Sequence, residues 1–298
     1  MNMIMKIFPN SAGICLAFWV FVLNIILLDA NGANAGNEGN TPEKPLWEAG
    51  VIPGVLRMPH YRGSDEYDIW ALPLPYVIYM GKFFQFDREG AHGIFYRSEY
   101  LQTSISGWGN PPVNEDNKAR EGMDNPDAIV EFGPSLQWHF RGRSPFRTLY
   151  LRWALRSAIS VGFPDNGEID YRGLKSAINL VYRKEAFWND HHWELGVNSG
   201  IEMADRNYHD YLYKVSVKDV TPERPAYSPD TGISALMFSL RLIRKINDRV
   251  SVAGYARWEN MSLAVYKESP LVKEENNWIA GCALVWTLKE SKTSVHSE

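Results

Sequence analysis

The side chains able to do chemistry occur in two settings, local clusters and long alternating rows. Asp190-His191-His192 brings two imidazoles and a carboxylate together, the donor types of a zinc site. Adjacent residues of an extended chain point to opposite faces, so these histidines do not converge on one ion and a polar turn is the better reading. Ser64 and Asp65 with His60 contain the groups of a hydrolytic triad. All three fall in one short loop, without a Gly-x-Ser-x-Gly elbow or an oxyanion hole. Glu115, Asp116 and Asp124 place carboxylates in segment 109–126, but not in the spaced pattern of a calcium loop. No cluster reads as a catalytic centre, a metal site or a cofactor site, and the chain is expected not to be an enzyme.

The rows are more informative. Glu131, His139, Arg152, Arg156, Lys175, Arg183, Glu194, Glu202, Arg241, Arg257 and Glu259 each stand on the polar face of an alternating segment. Mixed charges facing one interior allow two outcomes. A wide pore sorts solutes by charge. A narrow interior closes on itself through ion pairs, because an unpaired charge there is costly. A barrel of intermediate width favours the plugged or narrow lumen.

Strands must position these rows. In segment 127–140, Val130, Phe132, Pro134, Leu136, Trp138 and Phe140 alternate with Glu131, Gly133, Ser135, Gln137 and His139. A period of two is a strand with two unlike faces; only Pro134 resists, since proline is usually confined to edges and bulges. Similar runs cover 46–58 (with a bulge expected at Pro53-Gly54), 69–80, 82–87, 90–97, 99–108, 148–160, 172–185, 190–204, 231–246, 248–264 and 277–288. That is about twelve strands, several near the roughly ten residues of a tilted membrane crossing and longer than the usual sandwich strand. Short connections alternate with long polar ones, the pattern of periplasmic turns and outer loops. Parity then puts both termini on the periplasmic side. The weak point is the short connection 87–90, where an outer loop belongs. The fold expected is all-β, an antiparallel up-and-down transmembrane β-barrel of about twelve strands, and no amphipathic helix is evident between them.

Composition agrees. The 298 residues carry a net charge of −4, which leaves no basic surplus for nucleic acid. Trp 11, Tyr 15 and Phe 13 suit interfacial aromatic girdles. Segment 1–35 reads as a signal peptide: Lys6, an apolar core over 13–28, and Ala33-Asn34-Ala35 before the cut. Cys15 leaves with it, and Cys282 remains on an apolar strand face with no internal disulfide partner. Segment 36–45 reads as a mobile leader, 46–288 as the barrel and 289–298 as a polar tail.

Specific motifs add a resemblance. Pro59-His60-Tyr61-Arg62-Gly63-Ser64-Asp65 is followed by Leu72-Pro73-Leu74-Pro75, and Ser269-Pro270-Leu271-Val272 precedes the last strand. With Phe132-Gly133-Pro134-Ser135 and Thr221-Pro222-Glu223-Arg224-Pro225-Ala226-Tyr227, they make the chain similar to the MipA/OmpV family of Gram-negative outer-membrane proteins. The family-motif positions are Pro59, Tyr61, Gly63, Ser64, Asp65, Pro73, Pro75, Ser269 and Pro270. The family typically ends on an aromatic residue; here Trp286-Thr287-Leu288 is followed by the tail. The resemblance implies a barrel in the cell outer membrane, in contact with its lipid. It also implies a scaffold that ties a murein-cleaving lytic transglycosylase to a murein synthase. A passive or selective channel, an adhesin, and less readily a lipid-modifying barrel enzyme are the alternatives.

Overall fold

The computed structural model describes residues 43–80, 84–87, 90–113, 116–142, 147–162, 168–190 and 192–296. The signal segment 1–35, leader residues 36–42, Glu115 and His191 lie outside the described residues. The strands are β1 (Glu43–Pro45), β2 (Trp47–Pro59), β3 (Tyr67–Met80), β4 (Phe84–Asp87), β5 (Gly90–Arg97), β6 (Leu101–Asn110) and β7 (Ala128–His139). They continue as β8 (Arg147–Val161), β9 (Ile169–Glu185), β10 (Trp193–Ala204), β11 (Gly232–Asn247), β12 (Val250–Asn260), β13 (Asn276–Glu290) and β14 (Ser294–His296). Among the described residues one α-helix, α1 (Arg206–Tyr213), lies between β10 and β11.

Strands β2 to β13 pair antiparallel with their sequence neighbours, and β13 pairs with β2, so twelve strands form one ring of ladders. The alternation predicts the facing correctly. Glu131, Ser135, Gln137 and His139 of β7 are buried, whereas Phe132 and Trp138 are about half exposed at 50% and 54%. Pro134 is accommodated by a break in its ladder. The pairs of β7 with β8 run to Phe132↔Ser157 and resume at Ser135↔Ala154. A Cβ on Gly133 would stand 2.1 Å from the Leu155 carbonyl oxygen, so glycine permits the close approach. Exposed Trp47, Tyr79, Trp138, Trp188 and Trp286 all belong to the end of the barrel that carries the short turns, as an interfacial aromatic belt requires.

Four expectations need correction. The wall is uneven: β4 has 4 described residues and β5 has 8, and their described ladder ends at Asp87↔Gly90, short of the far ends of β3 and β6. No bulge occurs at Pro53-Gly54. Pro53 faces Pro73 in an unshifted β2–β3 ladder, where neither residue has an N–H to misplace, and the irregularity against β13 falls at Thr287/Lys289. The last residues of the leader are structured, because β1 pairs with β14 of the tail in a separate two-stranded ribbon. Helix α1 was not evident in the sequence: it is short, and its N-cap, Asp205, accepts a hydrogen bond from the Tyr208 N–H.

The interior is filled by two chemistries. Along β13, β2 and β3, Ile279, Ala283, Val285, Ile52, Leu56, Leu74 and Ile78 form a buried apolar cluster, with Trp70, Trp108 and Tyr255 packed against it. The charged rows of β7 to β12 face them. Over both, at the end of the long connections, the loops turn inward and form a third cluster around Tyr61, Tyr213, Met261 and Tyr266.

Candidate functional site

The charged rows and the inward-turned loops meet in one network. Glu131 lies on β7, Arg156 on β8, Lys175 on β9, Glu202 on β10, and Arg257 and Glu259 on β12. Lys175 Nζ is 3.1 Å from Glu131 Oε1 and 3.2 Å from Glu202 Oε2. Arg257 reaches Glu259 at 2.5 Å and Glu202 at 3.4 Å, and Arg156 approaches Glu131 at 3.8 Å. Arg257 and Glu259 are two residues apart on one strand, Arg156 stands directly opposite Lys175, and Glu131–Arg156 and Lys175–Glu202 are diagonal neighbours across ladders, so strand register brings these groups to one level. A second, separate pair, Arg241 with Glu194 at 3.5 Å, lies nearer the turn end. Arg152 and Arg183 also face inward, partly buried.

The centre of the network comes from a loop. Arg62 enters from the β2–β3 connection and donates to Glu202 at 2.8 Å and to Glu259 at 2.7 Å. Burial disfavours its charge, but Glu259 and Glu202 more than offset that and raise its pKa. Tyr208 of α1 donates to Glu131 at 3.0 Å, so the helix is tied to the same carboxylates. The main network therefore holds four cations (Arg62, Arg156, Lys175, Arg257) and three carboxylates (Glu131, Glu202, Glu259).

Family-motif residues hold Arg62 in place. Gly63 has φ of 91°, a conformation that favours glycine. Its N–H donates to Asn277 Oδ1 at 2.5 Å, its carbonyl accepts from the Lys273 N–H at 2.7 Å, and Asn277 donates back to the Ser64 carbonyl at 2.9 Å. Tyr61 donates to the Leu271 carbonyl at 2.6 Å, and Tyr213 to the Arg62 carbonyl at 3.0 Å. Ser269 donates to the Tyr213 carbonyl at 2.8 Å. Tyr213 stacks on Tyr266 at 3.6 Å, and burial above all pushes the Tyr266 hydroxyl up to about 12. Pro59 ends β2, Pro270 follows Ser269, and Pro73 and Pro75 face outward on β3. Asp65 is exposed.

The sequence clusters resolve differently. Ser64 Oγ accepts from the Glu66 N–H and from Asn117 Nδ2, while His60 Nδ1 meets that same amide at 3.1 Å. Ser64 and His60 are thus bridged by an asparagine, which is a loop clasp and not a triad. His192 turns back on Asp190 at 2.7 Å, a local polar turn. Among the described residues no group of three His, Cys, Asp or Glu side chains is arranged to hold a metal. Arg62, Tyr208 and Asn277 were not singled out by sequence. Gly63 is the one local signal, since a glycine beside an arginine in a tight loop marks a special backbone position.

The arrangement cross-links wall and loops through buried charge, and beside it His209 Nε2 stands 2.8 Å from Ser234 Oγ. A comparison with curated proteins finds no match. Among solved structures, the chain is similar to "Bacterial polysaccharide outer membrane secretin" at 10% identity and a TM-score of 0.38, covering 80% of this chain and 98% of that one. It is similar to the outer membrane phospholipase A from Escherichia coli at 11% identity and a TM-score of 0.30, covering 85% and 94%. For a "CymD monoaromatic hydrocarbon channel" the figures are 8%, 0.34, 91% and 99%. Likenesses this distant carry no functional argument, and the family comparison is of another kind. The model of the family described as MltA-interacting protein MipA matches residues 51–288, from β2 through β13, including the loop that delivers Arg62. The chain is an outer-membrane β-barrel and belongs to the MipA family.

Proposed function

We propose that this protein is a non-enzymatic scaffold in the outer membrane, reached after cleavage of the signal peptide, with its long connections outside and both chain ends in the periplasm. The observation that carries the reading is the β1–β14 ribbon, in which Glu43 pairs with His296, Lys44 with Val295 and Pro45 with Ser294. A scaffold needs a surface on the murein side. Short turns offer little, whereas the ribbon continues the β2–β13 seam beyond the barrel and offers backbone edges to an extended partner segment. The family's description as MltA-interacting points to a murein-cleaving lytic transglycosylase as one partner. The buried ion network supports a closed interior over a conducting one.

Affinity capture from detergent extracts tests this. The full chain should recover a lytic transglycosylase or a murein synthase, and a chain ending at Glu290 should recover much less. Conductance in planar bilayers without any such partner would replace the scaffold by a channel. The topology has its own check: an epitope near Glu223 should be labelled on intact cells, and one after Glu298 only after permeabilisation.

A further inference from the structure

Two small cavities lie inside the barrel, between the main ion network and the short turns. Arg152, Asn198, Ser239 and Tyr255 line both, so the two adjoin at those residues. The upper one also touches Ser135, Gln137 and Asn179, and the lower one Arg183 and Arg241. Among the described residues Glu202 is the one carboxylate that lines the upper cavity, and none lines the lower. The volumes are about 40 and 30 Å³, room for only a few groups of water size.

Strand register sets Arg152 apart. Its ladder partners are Gln137 on β7 and Asn179 on β9. Its diagonal neighbours are Ser135 and His139 on one side, Ala177 and Val181 on the other. None of these is a carboxylate. Among the described residues Arg152 makes no ion pair, and its Nε is buried without an acceptor. The arginines around it differ: Arg156 approaches Glu131, Arg241 meets Glu194, and Arg257 meets Glu202 and Glu259. The network above already holds four cations to three carboxylates, so it has no spare negative charge for Arg152. A guanidinium does not escape by losing its proton, and a charge without a partner in a narrow interior is costly. Beside it Ser135, only 4% exposed, buries a hydroxyl that has no partner either.

We propose that the adjoining cavities around Arg152 form a binding site for one small inorganic anion of halide size. Arg152 supplies the charge, and Asn179, Asn198 and Ser135 supply neutral donors around it. The volumes admit a monatomic anion and exclude a lipid headgroup or a sugar acid. The ion is an internal counter-ion: it completes the charge balance that the strands leave open between the network and the turns. This goes beyond the scaffold reading and does not depend on it.

The probe is chloride, added to the folded full chain in nonionic micelles, with gluconate holding the ionic strength constant. Chloride-35 magnetic resonance should show a saturable excess line width that bromide displaces and gluconate does not. Arg152→Gln should weaken binding about tenfold, the equivalent of one charge-assisted hydrogen bond, with unchanged heat-modifiable mobility. Arg147→Gln, on the exposed start of β8, should leave the line width as it is. Asn198→Asp is the second variant, because it places a carboxylate in both cavities. It should abolish the excess line width and raise the urea midpoint in chloride-free buffer. Displacement by gluconate as effective as by bromide would put the ion on the outer surface and overturn the proposal. So would an excess line width that survives Arg152→Gln, or no excess in the unaltered chain, which would mean that water alone serves Arg152. A lowered urea midpoint for Asn198→Asp without chloride would also overturn it, since the region would then lack the surplus of positive charge on which the site depends.

Discussion

The two sides of the interior close the same barrel by opposite means. Around Glu131, Lys175, Glu202, Arg257 and Glu259, charges meet at hydrogen-bonding distances and the inward loops dock on them. Around Ile52, Leu56, Ile78 and Ile279, apolar side chains fill the space with no such directional demands. The difference teaches that alternation along a strand reports two unlike faces, not which chemistry is inside. It also separates roles. The apolar side fills volume, and modest changes there are absorbed by neighbours. The charged side fixes loop positions, since each carboxylate has several partners and none can leave without exposing the rest.

The comparison breaks first at Glu202, which meets Arg62, Lys175 and Arg257. Glu202→Gln should cost about 3–5 kcal/mol, the range for removing one partner from a buried charge group. The urea midpoint of the heat-modifiable form would report it, and a loss below about 1 kcal/mol would mean that both sides are mere filling. On the lipid face, Leu136→Arg, two residues in from the belt residue Trp138, should cost less than the about 2–4 kcal/mol of an arginine at the midplane. Gln137→Glu, facing inward and opposite Arg152, should leave the folded fraction in outer membranes intact. Ile52 is 1% exposed, and Ile52→Val should cost only about 0.5–1.5 kcal/mol by the same urea assay. The smallest effect concerns pH. Burial holds the His209 pKa below its ordinary 6.5, against the hydrogen bond to the Asp230 carbonyl. The unfolded loop then binds more protons as pH falls through that value, so anchoring is complete above it and weakens below. Amide exchange in α1 should be faster at about pH 5 than at about pH 7.5 after correction for intrinsic rates, and equal protection would remove His209 from the account.

These residues also mark what the sequence discloses. Strands β7 to β13 are legible because Leu149, Leu151 and Trp153, or Trp278, Ala280 and Leu284, stand opposite polar or small residues at a period of two. On β3 the signal fails. Tyr76, Val77, Ile78 and Tyr79 are apolar on both faces, so only register shows that Tyr76 and Ile78 point inward. The charged rows could be placed on the inner face by parity, but their closure by Arg62 could not. That arginine is 140 positions from Glu202 and 197 from Glu259, and no local pattern encodes such a distance. Helix α1 escaped because Arg206, Asn207 and Asp210 make a short polar segment that is ordered by Asp205 and Glu131, not by its own periodicity.

The seam between β2 and β13 has a consequence in time. Contacts near it, such as Tyr76 with Thr287, join positions 211 apart, so the cylinder cannot be sealed until the final strand has arrived. Joining distant ends costs chain entropy, though each doubling of the loop adds only about 0.6 kcal/mol, and folds dominated by distant contacts are slow to complete. The leader and tail lengthen this last-made joint: Trp47 accepts from the Ser291 N–H, Leu46 donates to Thr293, and the ribbon follows. A zip that extends past the cylinder lets sealing begin outside the bilayer, where water still satisfies every unpaired amide. A chain stopped at Glu290 has to start that joint within the wall itself, and its heat-modifiable form should accumulate more slowly than that of the full chain.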